Sequence, residues 1–175
     1  HYVSKNSNID KEAFKRGTSV YFPGFVIPML PEVLSNDLCS LKPNEDKLVV
    51  IAEIVIDKGG SIKSYNFENA LIKSSARLTY NVVEEFLKGK NIIQDCEVIK
   101  NINNLYSLYK SLEKNRAKRN AISFDSNEVS FFVSKSNEIE SIKSSARMES
   151  QKIIEECMIA ANIASSLFIK KNNKN

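Results

Sequence analysis

Histidine is almost missing from this sequence, since His1 is the only one among 175 residues. Enzymes that move protons at neutral pH most often use histidine, so histidine-dependent catalysis is not expected. Glycine is also scarce. Of the five glycines, only Gly59 and Gly60 are adjacent, and they complete a turn pattern that begins at Asp57. A glycine-rich loop that cradles phosphates is therefore not expected either.

Cysteine and long apolar runs are equally limited. The three cysteines, Cys39, Cys96 and Cys157, are widely spaced and odd in number. This pattern favours reduced, buried thiols in a cytoplasmic protein over a disulfide framework or a zinc site. The longest apolar run, Leu48 to Ile56, is interrupted by Glu53 and is too short to cross a bilayer. We therefore expect a cytoplasmic protein without a membrane partner.

The charged residues give no catalytic cluster. Net charge is +4, which by itself is weak evidence for nucleic-acid binding. Hydrolysis of a phosphodiester with metal ions needs clustered carboxylates. The six aspartates are dispersed: Asp10, Asp37, Asp46, Asp57, Asp95 and Asp125. We therefore assign no catalytic residue and no metal ligand within the chain.

One group of cations stands out, at the end of a predicted helix. Its members are Lys110, Lys114, Arg116, Lys118 and Arg119. Cations suit the negative end of a helix dipole, so a solvated helix end is the favoured interpretation. Contact with phosphates is the alternative.

Hydrophobic periodicity predicts strand pairs that alternate irregularly with helices. The expected helices are a turn at Asp10–Lys15, a helix capped by Thr79 that runs to Leu87, and longer helices at about Glu97–Arg116 and Met148–Lys170. The expected strands are an extended segment at Thr18–Phe22, then Leu48–Ile56, Ile62–Ile72, Glu128–Val133 and Glu138–Ser144. This order indicates a mixed α+β domain with a mainly antiparallel sheet and flanking helices.

Three of the four prolines, Pro23, Pro28 and Pro31, lie within nine positions. Because each proline fixes φ and removes a backbone donor, this stretch is not a regular helix or a central strand. A buried crossover loop and a binding edge both fit. Tyr21 and Phe22 are adjacent in the extended segment, so one ring can face a cavity while the other packs in the core.

The proline-containing segment resembles the catalytic (RNB) domain of the ribonuclease II and ribonuclease R family, and the ribonuclease R branch fits best. The matching stretches are Arg16–Pro23, Val26–Glu32, Leu34–Asn36 and Leu38–Leu41. The similarity continues at Ala76–Tyr80, Ile122–Phe124 and Ile154–Asn162, so it covers nearly the whole chain.

The resemblance implies that residues 1–175 are a single partial catalytic domain, truncated at both ends. In the family, an aspartate-rich motif that binds Mg²⁺ lies upstream of the position matching His1, and an arginine that contacts the scissile phosphate lies downstream of Asn175. The implied activity is that of a metal-dependent hydrolase that degrades single-stranded RNA from its 3′ end to nucleoside 5′-monophosphates. The chain alone is expected to be inactive. A non-catalytic RNA-binding remnant or an interaction domain is the alternative.

The resemblance also implies four RNA-binding residues. It places the two aromatic side chains that grip the 3′ end at Tyr21 and Phe124, and stacking of this kind tolerates any base. It places the recognition of the ribose 2′-hydroxyl at Tyr80 and Glu155. The last helix has one apolar stripe, formed by Ile153, Cys157, Ala160, Ala164 and Phe168. Glu155, Ile159 and Asn162 form a second stripe on the same helix. That stripe suggests a face lining a polar cavity, or else a surface with a capping acid.

Overall fold

The computed structural model of the chain describes residues 2–119, 128–134, 139–145 and 147–172. Its elements follow in the order α1 (Asn8–Arg16), β1 (Val20–Phe22), β2 (Phe25–Ile27), a π-helix (Val33–Leu38), β3 (Asp46–Ile56), β4 (Ile62–Lys73), α2 (Tyr80–Leu87), α3 (Cys96–Lys118), β5 (Glu128–Val133), β6 (Ile139–Ser145) and α4 (Glu149–Asn172). The predicted mixed α+β class is confirmed, and most predicted element boundaries lie within a few residues of the observed ones.

The chain forms two compact units. The hairpin unit comprises His1–Lys47, Lys73–Ser75 and Asn127–Ser145. The helical unit comprises Leu48–Ile72, Ala76–Ser126 and Ala146–Asn175. The strands of the described residues belong to three two-stranded sheets, β1–β2, β3–β4 and β5–β6. The antiparallel strands that the sequence predicted are therefore separate ladders and not one continuous sheet.

The hairpin unit begins with α1, which is capped at both ends. The Ser7 hydroxyl accepts a hydrogen bond from the backbone N–H of Asp10 at 3.2 Å. At the other end, Gly17 adopts φ 67° and its N–H donates to the carbonyl of Ala13 at 2.9 Å. A residue without a Cβ takes this left-handed conformation at little cost, so the helix ends cleanly before β1.

The proline-rich stretch of the hairpin unit is a short antiparallel hairpin followed by a π-helix. Strands β1 and β2 pair with Tyr21 opposite Val26 and Phe22 opposite Phe25. Pro23 lies in the turn between them, so its missing N–H removes no bond from the ladder. The π-helix, which places Leu34 in a buried position, was not predicted.

In the helical unit, the turn between β3 and β4 contacts α3. Asp57 Oδ1 accepts hydrogen bonds from the N–H groups of Gly59 and Ser61, at 2.8 and 2.9 Å, which confirms the predicted turn. Asn115 Nδ2 donates to the carbonyl of Gly60 at 2.7 Å. Gly60 has φ 81°, and a Cβ there would lie 2.3 Å from the carbonyl oxygen of Ser111. Glycine is therefore required for this close approach.

The core of the helical unit is formed by α2, α3 and α4. Thr79 caps α2, as predicted, and Asp95 caps α3 through its carboxylate. Helix α4 packs against both α2 and α3. The buried apolar residues of this unit are Ile93, Ile102, Tyr109, Leu112, Ile153, Ala160 and Ala164. Leu105 of α3 and Phe168 of α4, which the helical period also places among apolar neighbours, are exposed.

The expectations about buried thiols and about membrane spans can be compared with the structure. All three cysteines are free, but Cys39 and Cys96 are exposed. The expectation of buried thiols is therefore wrong for these two, and Cys157 is half-buried. Among the described residues, no helix combines the length and the apolar character needed to cross a membrane.

Candidate nucleic-acid interface

Tyr21 presents its ring on a short strand of the hairpin unit. The side chain is 77% exposed, which is far more than a packing role requires. Its neighbour Phe22 does not pack into a core as the alternation predicted, because it is 45% exposed. Instead, the Phe22 ring stacks on Phe25 across the hairpin, with centroids 4.9 Å apart and an interplanar angle of 12°. This pair stiffens the strand that carries Tyr21.

The expected partner of Tyr21, Phe124, lies outside the described residues. The pairing of these two aromatic residues around an RNA end therefore stays a prediction. Tyr21 belongs to the hairpin unit, whereas Tyr80 and Glu155 belong to the helical unit.

Tyr80 is the first residue of α2, immediately after its cap. Thr79 Oγ1 accepts a hydrogen bond from the N–H of Val82 at 3.3 Å, which fixes the first turn of the helix. The Tyr80 side chain is 46% exposed and lines a largely apolar cavity of about 170 Å³. Ile154, which precedes Glu155 in α4, lines the same cavity. Tyr80 and the segment that carries Glu155 therefore share one part of the helical unit.

The start of α4 also faces this cavity. Ser150 is 3% exposed, and its hydroxyl has no hydrogen-bond partner among the described residues. Its backbone N–H donates to Glu84 Oε2 on α2, at 3.2 Å. Although partial burial of Glu84 opposes ionisation, hydrogen bonds from Ser150 and Lys88 hold the pKa of this carboxyl below its usual range. The carboxylate therefore caps α4 from a neighbouring helix.

Glu155 is held by an arginine at the N-terminal end of α4. Its Oε2 lies 2.8 Å from Nη2 of Arg147, and the two side chains are about one third exposed. Its Oε1 lies 3.9 Å from Nη1 of Arg116 on α3, beyond hydrogen-bond range. Nothing in the sequence around Arg147 distinguishes it from an ordinary surface cation. The structure instead pairs it with a predicted site residue.

Glu156 and Arg116 form a second and more buried pair. Sequence reasoning missed Glu156 and treated Arg116 only as a member of the cation group. Arg116 Nη1 donates to Glu156 Oε1 at 2.8 Å, and the Glu156 side chain is 8% exposed. This hydrogen bond raises the pKa of Arg116 above its usual value. Glu156 and Ile159 line a cavity of about 250 Å³, and Ile159 and Asn162 line an open cavity of about 350 Å³. Two members of the predicted stripe, Ile159 and Asn162, therefore border cavities, and the acid that lines the first cavity is Glu156 and not the predicted Glu155.

Two members of the predicted cation group, Lys110 and Arg116, form ion pairs between α3 and α4. Lys110 Nζ contacts both Glu113 of α3 and Glu149 of α4, at 3.3 and 3.2 Å. The same ammonium lies 4.7 Å from the centre of the Tyr109 ring. Tyr106 donates its hydroxyl hydrogen to Glu149 Oε2 at 3.0 Å, which adds a second link between α3 and α4. Lys110 and Arg116 thus hold α4 in place, and nothing in these contacts requires a phosphate.

A metal centre does not emerge from the described residues. No group of three or more histidine, cysteine, aspartate or glutamate side chains within them is arranged to hold a metal ion. The acidic side chains near the candidate interface are already engaged, Glu84 by a helix end and Glu155 and Glu156 by arginines. This donor set does not fit a divalent cation.

Comparison with known proteins identifies the fold. The family model of the RNB domain matches residues 1–175. Ribonuclease R of Escherichia coli (strain K12) is 44% identical over 173 residues, covering 98% of this chain and 21% of that protein. Mycoplasma genitalium RNase R in complex with ribose methylated single-stranded RNA superposes with a TM-score of 0.94 at 34% identity, covering 98% of this chain and 27% of that one. Its complex with double-stranded RNA gives a TM-score of 0.95.

These matches define the class of the chain, an RNB domain with a mixed α+β fold. The chain spans about a fifth of the length of the curated relatives it matches. It belongs to the RNB domain family. The family expected from the proline-containing segment is therefore confirmed.

Proposed function

We propose that the protein containing this chain is a 3′-to-5′ exoribonuclease that hydrolyses single-stranded RNA to nucleoside 5′-monophosphates in the cytoplasm. One observation carries the proposal: the 44% identity to ribonuclease R, which extends over 98% of the chain. The reaction adds water to the last phosphodiester. The bond from phosphorus to the 3′ oxygen breaks, and the shortened RNA keeps a new 3′-hydroxyl.

In this proposal the chain grips the RNA. Tyr21 stacks on a base near the 3′ end, which suits a ring that is 77% exposed on a stiffened strand. Phe124 is the second aromatic residue proposed for this grip. A stack of this kind accepts all four bases because every base has an aromatic face. The chain therefore contributes the sequence-independent hold that an enzyme degrading any RNA needs.

Recognition of ribose is proposed for Tyr80 and Glu155. The 2′-hydroxyl both donates and accepts hydrogen bonds, and only RNA has it. A carboxylate accepts the hydroxyl hydrogen, and a tyrosine hydroxyl can either donate or accept. Support comes from the partial exposure of both side chains and from the cavity shared by Tyr80 and Ile154.

The proposal includes Mg²⁺, bound by carboxylates upstream of the position of His1. Such an ion supplies charge neutralisation at the phosphate and an activated water. The residues of this chain have the other roles in the proposal: they hold the RNA strand, select ribose and position α4.

The test uses the full-length gene product with a 5′-labelled single-stranded RNA and the DNA of the same sequence. We expect a ladder of RNA products that shortens from the 3′ end, release of nucleoside 5′-monophosphates, and intact DNA. The alternative, a non-catalytic RNA-binding or interaction protein, predicts a mobility shift of the RNA with no release of mononucleotides. Internal cleavage products would contradict both.

A further inference from the structure

We infer that Arg147 is a positioning residue that aims the Glu155 carboxylate at the ribose 2′-hydroxyl. This inference rests on the proposed function, because it concerns how Glu155 is made ready for that contact. It assigns to Arg147 a specificity role that acts through Glu155 and not through a phosphate.

The two oxygens of Glu155 have different surroundings. Oε2 lies 2.8 Å from Nη2 of Arg147, whereas Oε1 lies 3.9 Å from Nη1 of Arg116, beyond hydrogen-bond range. One oxygen is therefore held, and the other keeps its capacity to accept a hydrogen bond. A carboxylate fixed through one oxygen presents the second in a defined direction, as a ligand hydroxyl requires.

Arg116 does not replace Arg147 in this role, because it is committed to the neighbouring acid. Its Nη1 donates to Glu156 Oε1 at 2.8 Å, in a pair that is more buried than the Arg147–Glu155 pair. If Arg147 were absent, the nearest remaining cation for Glu155 would be Arg116. The carboxylate would then turn its free oxygen toward Arg116 and away from the ligand.

The backbone beside Arg147 is itself fixed. The N–H of Met148 donates to Gln151 Oε1 at 2.9 Å, and the N–H of Lys152 donates to the carbonyl of Met148 at 3.3 Å. These hydrogen bonds fix the backbone at the start of α4, so the Arg147 side chain extends from a defined position. The Glu84 carboxylate, which accepts the N–H of Ser150, holds the same helix end from α2.

The experiment measures the ratio of dissociation constants for a labelled oligoribonucleotide and its 2′-deoxy equivalent, by fluorescence anisotropy without divalent metal. It uses the full-length protein and the variants Arg147→Gln, Arg147→Lys, Glu155→Gln and Arg147→Gln/Glu155→Gln. Lys170→Gln is the matched control, because it removes one cation from the exposed end of the same helix. Circular dichroism confirms that each variant is folded.

We expect Arg147→Gln to lower the preference for RNA on the order of tenfold, the scale of one hydrogen bond to a charged group. Glu155→Gln should give a similar loss, and the double variant no further loss, because the two residues act through one contact. Arg147→Lys should be intermediate, since it keeps the charge without the planar fork. Lys170→Gln should keep the wild-type ratio.

Two different failures are distinguishable. A wild-type ratio for Arg147→Gln together with a lowered ratio for Glu155→Gln overturns the inference and leaves the proposed ribose contact standing. A wild-type ratio for Glu155→Gln overturns the proposed ribose contact and the inference with it. Equal weakening of RNA and DNA binding by Arg147→Gln also overturns the inference, since that is the effect of a lost phosphate contact. If Arg147→Gln does not fold, the ratio for Arg147→Lys decides: a lowered ratio supports the inference and a wild-type ratio overturns it.

Discussion

The carboxylate of Glu84 in α2 accepts a hydrogen bond from the backbone N–H of Ser150 in the first turn of α4, at 3.2 Å. The two residues are 66 positions apart in sequence. The backbone N–H of Ser150 at this helix end is thus satisfied by an acid from a neighbouring helix. The contact fixes the start of the helix that carries Glu155.

This contact predicts a pH-dependent stability. The pKa of Glu84 is held below its ordinary value in the folded chain, so its contribution to stability is present at neutral pH and is lost as the pH falls through the folded pKa. We expect Glu84→Gln to lower the free energy of unfolding by about 1 kcal/mol at pH 7. Urea unfolding across the acid range should show this difference shrinking. Glu85→Gln, an exposed neighbour on α2, is the control, and a difference that stays constant with pH would contradict the prediction.

A matched pair of glycine variants tests the contact between the β3–β4 turn and α3. Gly60→Ala should lower the free energy of unfolding by more than about 1 kcal/mol, because φ is 81° and the new Cβ would lie 2.3 Å from the Ser111 carbonyl oxygen. Gly59→Ala should cost less, since Gly59 is not in the left-handed region and its Cβ would meet only a side-chain atom, Asp57 Oδ1, at 3.2 Å. Thermal or urea unfolding gives the comparison. Equal losses for the two variants would show that the close approach is absent.

Replacing the exposed ring of Tyr21 should loosen the hold on the RNA end. For Tyr21→Ala in the full-length protein, we expect a limit product longer by one or more nucleotides and a binding loss of about 1–3 kcal/mol for the missing stack. Tyr21→Phe keeps the ring and should behave as the wild type. Phe14→Ala removes another exposed aromatic side chain of the hairpin unit, 88% exposed, and serves as the surface control. Product lengths are measured on a denaturing gel. An unchanged ladder for Tyr21→Ala would refute the proposed stacking of Tyr21 on the RNA end.

Removal of the Glu155 carboxylate should weaken the distinction between RNA and DNA. We expect Glu155→Ala to improve the binding of single-stranded DNA relative to RNA, because the acceptor for the 2′-hydroxyl is lost. Competition binding with matched oligonucleotides measures the ratio. Glu53→Ala removes an exposed acid from β3 and should leave the ratio unchanged. A constant ratio for both variants would remove Glu155 from ribose recognition.

The isolated 175-residue chain is expected to show no nuclease activity, even with Mg²⁺ added. The physical reason is the absence, within the described residues, of carboxylates gathered to hold an ion. A single-turnover assay with excess chain over a labelled RNA tests this, with the full-length protein as the positive control. Measurable release of mononucleotides by the purified chain would contradict the expectation.

The sequence predicted the local structure well because local signals determine it. Thr79 caps α2, the Asp57–Gly60 turn joins two β-branched runs, and Ile102 and Leu112 of the predicted helix α3 are buried. The π-helix after Pro31 was missed, since its period is neither that of an α-helix nor that of a strand. Local patterns also gave no measure of burial for isolated side chains, and so Cys39 and Cys96 were placed inside when they lie outside.

The ion pairs of the candidate interface could not be predicted in the same way. Arg116 and Glu156 are 40 positions apart, and nothing in their local sequence links them. Arg147 and Glu155 are only eight positions apart, but one precedes α4 and the other lies on it, outside the spacing of helical neighbours. Family resemblance pointed to Glu155, whereas only the folded arrangement shows which side chains hold it.

The positions of the three thiols allow selective labelling of the two units. Cys39 in the hairpin unit and Cys96 in the helical unit are both exposed, so each unit carries one accessible attachment point for a spectroscopic label. Burial, with a smaller effect from Glu156, raises the pKa of the Cys157 thiol, so it supplies little reactive thiolate. Brief labelling near neutral pH should therefore modify the first two and spare the third. A dye pair placed in this way would report in real time whether the two units move when an RNA strand enters.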